Sequence, residues 1–264
     1  MTPELRTAFD QHRQLVASEL NEMAGLLEHL NLTSDAGPLR AAAGECMRAA
    51  RTARGDTPDK GREYWGYQIS DLRLNLEGQR HNRPRAATML DVSGLLSVRV
   101  EEYVPASLDE VGSGFSLLRA LDTDFAFDVV LDIDGQSHLL RSAWHIDTHP
   151  YPETDSRSVH PRFHYQVGGD KLDEVDHEIR GVFLAEAPRV PCVPLDGLLA
   201  IDFVLSHYCG EAWMLMRDIE PRYGVVRRRP MQCYWRPYFQ ELSACISGLG
   251  QPDFAQSQLM PNIY

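Results

Sequence analysis

At 264 residues and 29.9 kDa, with 43% hydrophobic and 24% charged residues, the chain is long and apolar enough to bury a core. Its 19 glycines and 16 prolines are scattered, which excludes collagen-like, coiled-coil and wholly disordered organisation. The net charge of -12 is uneven: residues 1–86 are balanced, 87–220 carry 9 basic against 24 acidic groups, and 221–264 carry 5 against 2. So acidic a middle repels a phosphate backbone and disfavours broad nucleic-acid binding.

Residues 1–15 carry charges where a signal peptide needs an apolar run, and LDGLLAIDFVLSHYC is interrupted by Asp196, Asp202 and His207. A cytoplasmic protein without a membrane span is expected. The five cysteines are widely spaced with no Cys-x-x-Cys pair, so neither a disulfide framework nor a sequence-local zinc site is indicated. Only Lys60 and Lys171 among the 26 basic residues are lysines, which fits a high-GC bacterial source.

In chain order, Leu5, Phe9, Leu15, Leu20, Met23, Leu26 and Leu27 recur near a 3.6-residue period and predict a first helix. A second is predicted after Ser34 or Asp35, running to a stop at Gly55, and GREYWGYQISDLRLNLEG is read as a third. The polar stretch QRHNRPRA marks the boundary between a helical region, 1–86, and the remainder, 87–264.

Beyond it the period becomes two. SGLLSVRVEEYV and DFAFDVVLDID alternate as strands, and Asp134-Gly135 is the signal of a two-residue type I′ hairpin. Closing that turn opposes Phe125 to Trp144, Val129 to Leu140 and Asp128 to Arg141. HLLRSAWHIDTH then returns through PYPETDSRSV into HPRFHYQVGG. With His149 opposite His160, Ile146 meets Phe163 and His145 meets His164. Gly168-Gly169 ends that strand and IRGVFLAE reads as another. Pro194 is expected to open a buried helix with Asp196 in its first turn, and GEAWMLMRDIE and PYFQELSACIS to form helices on either side of GVVRRRPMQCYWR. The expected fold class is therefore α+β: an N-terminal helical region, then an antiparallel β-meander packed on C-terminal helices.

Three groups of residues are candidates for chemistry. Five of the ten histidines fall between His138 and His164. Strand alternation puts His145, Asp147 and His149 on one face with His160 and His164, a donor set able to bind a divalent transition metal and activate water; His138 has the opposite parity. The plainer reading is a wetted polar face or a partner interface. Cys192, held in Pro-Cys-Val-Pro before a helix, is a candidate nucleophile, and a helix, a meander and then a cysteine loop is an order similar to ubiquitin-conjugating folds; burial is the commoner fate of such a thiol. Arg227, Arg228 and Arg229 with Tyr234, Trp235 and Arg236 form a candidate binding segment, for a protein contact within or between chains before any nucleic acid. Asp202 reads as a hydrogen-bonded structural acid.

The chain has no phosphate-binding loop, dinucleotide fingerprint, nucleophile elbow or His-Glu-x-x-His. The block WHIDTH…HPRFHYQVGG, about a tenth of the chain, is similar to strand-borne His-Pro-x-x-His patterns in bacterial toxin–antitoxin and defence-associated families. The expected role is a non-enzymatic binding or assembly subunit beside a partner protein, in an antiviral defence or toxin–antitoxin system, with no cofactor. The alternative is a metal-dependent hydrolase or nuclease using the histidine face.

Overall fold

The structure is a computed structural model describing residues 1–54, 59–76, 88–148, 163–168, 171 and 190–247. Helix α1 (Pro3–His29) starts where the Thr2 hydroxyl accepts the Leu5 N–H, with proline at its first position. Its stripe is buried as expected except for Leu15, which is exposed. It ends at Asn31, whose positive φ lets the Leu32 N–H reach back to the Leu27 carbonyl.

Helix α2 (Gly37–Cys46) is shorter than expected. The Arg13 side chain on α1 donates to the Cys46 and Arg48 carbonyls, capturing acceptors that a longer helix would use internally, and the chain turns into β1 (Arg51–Thr52).

The expected third helix is instead a strand, β2 (Glu63–Asn75). It pairs with β3 (Thr88–Tyr103), so the sheet spans the boundary anticipated at QRHNRPRA, which itself lies outside the described residues. A bulge between Ile69 and Leu72 explains the misreading. Trp65, Tyr67 and Ile69 face the core before it and Leu72, Leu74 and Leu76 after it, so Trp65, Ile69, Leu72 and Leu76 fall at helical spacing on a pleated strand.

β4 (Leu118–Ile133), β5 (Gln136–Thr148), β6 (Phe163–Val167) and β7 (Val190–Pro191) complete a seven-stranded antiparallel meander in sequence order among the described residues. A short 3-10 turn, Leu108–Glu110, and α3 (Gly114–Leu117) join β3 to β4. The β4–β5 hairpin has the expected register, with Phe125 opposite Trp144 and Asp128 opposite Arg141. Asp134 and Gly135 both have positive φ, as a type I′ turn requires. Arg141 grips Asp128 with two bonds of 2.6 and 2.7 Å, and its third nitrogen donates to the carbonyl of Lys171, whose ammonium reaches Asp71 at the β2 bulge, 2.7 Å away. The β5–β6 register differs by two residues from expectation: Asp147 opposes His164 and Ile146 opposes Tyr165. A slip of two keeps every side chain on its face. The expected IRGVFLAE strand lies outside the described residues.

One sheet face is covered by helices, α2 on β2 and α4 (Gly197–Tyr208) on β3. Asp196 caps α4, accepting the Leu199 N–H, so the helix begins after this residue and Pro194 stands outside it. Gly197 sits where a Cβ would lie 2.6 Å from Ile69, which lets α4 close onto the sheet. After α5 (Gly210–Ile219), the expected irregular segment is helical: α6 (Pro221–Pro230) runs through a π-turn (Met231–Trp235) into α7 (Arg236–Ser247). Pro237 has no N–H for the Cys233 carbonyl and its ring crowds it, so the preceding turn widens and the Arg236 N–H bonds back to Met231. No helix among the described residues is long and apolar enough to cross a membrane.

The helix layer and the sheet meet at a buried polar cluster. Arg229 on α6 donates to Glu19 on α1 and lies 3.6 Å from Asp196. The Tyr67 hydroxyl on β2 accepts the Gly197 N–H, and Tyr234 donates to Glu102. Burial pushes Glu19, Glu102 and Asp196 above the usual carboxylate range, with Arg229 opposing. Burial lowers the Arg229 pKa, but Glu19 and Asp196 outweigh this and raise it. Removing one partner leaves charge uncompensated in the core. Arg229→Ala should therefore cost about 3 kcal/mol or more in urea unfolding; a loss under about 1 kcal/mol would show that the cluster is dispensable.

His12, near the same arginine, is held down to about 4 by burial and then by Arg229. The unfolded chain takes this proton near pH 6.5, so it binds more protons between those values and stability falls as pH drops through that window. The raised carboxyls act in the opposite sense, which makes the difference between proteins the clean measure. Between pH 7 and 5 the wild type should lose about 2 kcal/mol more than His12→Gln, read from urea midpoints.

Candidate functional site

The sheet face away from the helices carries polar residues in cross-strand rows. Ser97, Asp124, His145 and Gln166 are successive partners on β3, β4, β5 and β6. Two residues along, Arg99 opposes Asp122, and Asp147 opposes His164. Alternation brings His145, Asp147 and His164 together because two residues of β5 share a face and β6 presents its own there.

The donors converge. His145 Nε2 lies 3.4 Å from Asp147 Oδ1, and His164 Nε2 lies 4.0 Å from the same oxygen. The rings meet edge to face at 5.9 Å, and one ligand atom from each residue lies within 4.8 Å of the others. Donors bound at about 2.0–2.1 Å around a tetrahedral ion stand about 3.4 Å apart, so modest closure would seat one ion. His145 Nδ1 lies 3.5 Å from the Gly168 carbonyl; a proton there leaves Nε2 as the free donor. Gly168 has φ 111, a conformation suited to glycine. His164 is buried, and the Asp147 side chain keeps 30% exposure although its Oδ1, the oxygen facing both imidazoles, is buried.

Asp122 and Asp124 flank this set and were not singled out from sequence, although LDTDFAFD puts them at the same parity as Asp128. Burial raises both pKa values. Arg99 opposes the shift at Asp122, and for Asp124 His145 opposes it while Asp147 adds to it. His149 and His160 lie outside the described residues.

The other candidates are placed differently. Cys192 follows β7, five residues before α4 begins, so no helix terminus stabilises its thiolate; burial pushes the thiol up to about 11. The arginine segment does not form one surface. Arg227 pairs with Asp202 at 3.0 Å and Arg229 with Glu19, Tyr234 is buried, and Trp235 donates to the Pro194 carbonyl; Arg228 and Arg236 are exposed. Asp202 also accepts from Trp213 and Tyr223, as a structural acid would.

Since thiolate is the reactive form, Cys192 should alkylate with iodoacetamide at least about tenfold more slowly than free glutathione at pH 8, followed by peptide mapping; a faster rate would restore it as a nucleophile.

No family model, curated protein or solved structure matches the chain, so its function is argued from the site's own chemistry.

Proposed function

We propose that the protein is a metal-dependent hydrolase whose His145, Asp147 and His164 hold one divalent transition ion. The observation that carries this reading is the convergence of two imidazoles and a carboxylate from β5 and β6. Two histidines and one carboxylate leave coordination positions for water and substrate, and a bound ion would lower the pKa of that water into the neutral range. Asp124, cross-strand from His145, would be the carboxylate available to accept a proton from such a water.

A second reading, a binding or assembly subunit, is favoured by the exposed Met214, Leu215 and Val225 on α5 and α6. The bacterial source, the cytoplasmic setting and a place in a defence or toxin–antitoxin operon belong to this proposal and rest on sequence traits.

Untagged protein dialysed against zinc or manganese should retain about one equivalent by elemental analysis. His145→Asn and the near-isosteric Asp147→Asn should abolish retention while keeping the circular dichroism spectrum. The loaded protein should also cleave a chromogenic ester or phosphodiester. Retention below about 0.1 equivalent, or equal retention in both variants, would overturn the metal reading and leave the assembly role.

A further inference from the structure

A second concave region, independent of the metal reading, lies at the β1–β2 edge. It is an open groove of about 650 Å³ lined by Arg51, Arg54, Tyr64 and Arg119. A neighbouring hollow of about 120 Å³ is lined by Arg48, Arg51, Trp65 and Gly66. Arg51 is common to both. Gly66 is required there, because a Cβ would lie 2.1 Å from the Val100 carbonyl oxygen.

The arginines are unequally neutralised. Arg119 is braced by Asp59 at 2.8 Å and by Glu101. Arg51 is 3.7 Å from Glu101, and Arg54 has no ion pair among the described residues. Tyr64 orients two of them: the guanidinium carbons of Arg51 and Arg119 lie 4.9 and 4.3 Å from its ring centroid. Such stacking fixes the planar cation while leaving N–H edges free. In a chain of net charge -12, an arginine without an ion pair among the described residues stands beside a half-compensated one; both line a concavity, which points to an anion as their partner.

We propose that this groove binds a small molecule carrying two or more phosphate groups. Arg54 lies beside the shared Arg51 in the larger hollow, and Arg48 lines the smaller one, where it pairs with Glu45 at 3.3 Å. The ligand is short, because Glu45 and Asp59 border the site and would repel an extended phosphate backbone.

The probe is inorganic pyrophosphate, titrated calorimetrically into the full chain at low ionic strength with EDTA, so that no metal mediates binding. Wild type should bind with a Kd near 0.1 mM, about tenfold tighter than inorganic phosphate. Arg54→Glu, at an exposed side chain, should weaken pyrophosphate at least about tenfold, and Arg51→Ala with Arg54→Ala should do the same. Arg228→Glu, an equal charge change at an exposed residue elsewhere, should leave binding unchanged. The proposal fails if there is no binding up to about 10 mM, or if Arg54→Glu has no effect. It also fails if Arg228→Glu weakens binding equally, or if a single-stranded oligonucleotide binds more tightly through the same arginines.

Discussion

The buried guanidinium of Arg229 is the contact on which the assembly of the two layers depends. It draws Glu19 from the first helix and Asp196 from the cap of α4 to one point, while Tyr67 joins that cap to the sheet. Asp196 both caps a helix and approaches the cation, so the start of α4 and the position of α6 are fixed by the same carboxylate. Three buried carboxyls around one guanidinium are in excess of the charge it can balance, consistent with their raised pKa values.

The meander was legible wherever local chemistry fixes geometry. Asp134-Gly135 specifies both positive φ angles, and two residues of turn leave only one register, so every β4–β5 partner follows. Between β5 and β6 the sequence carries no two-residue turn signal like Asp134-Gly135 to set a register, and the expected pairing slipped by two. The faces survived because burial of Ile146, Phe163 and Trp144 enforces parity more strongly than it enforces position. β2 was misread for the opposite reason: one extra residue in a strand converts a spacing of two into three and imitates a helix.

The site was legible to the same extent. His145, Asp147 and His164 needed only alternation and an approximate register. Cys192 depended on where α4 begins, which is settled by the Asp196 cap, not by the proline before it. The arginine segment shows what one dimension omits: on a helix, successive residues point about 100° apart, so Arg227, Arg228 and Arg229 cannot share a surface. Glu19 and Arg229 are 210 positions apart and carry no mutual signal in the sequence. The groove arginines come from β1, the residues after it and β4, and are gathered only by the sheet.

The bond between Lys171 and Asp71 spans 100 positions and ties β2 to a residue beyond β6. Closing a loop of that length costs several kcal/mol of chain entropy, whereas one ion pair with an exposed carboxylate returns at most about 1 kcal/mol. The pair therefore cannot be what brings Lys171 across the sheet. The strands bring it there, and the Arg141 guanidinium, itself held on both oxygens of Asp128, donates to its backbone carbonyl. Raising the salt concentration would loosen the ammonium from the bulge while the backbone stayed in place, making the lysine a reporter of that edge's electrostatic environment and not a fastening of the fold.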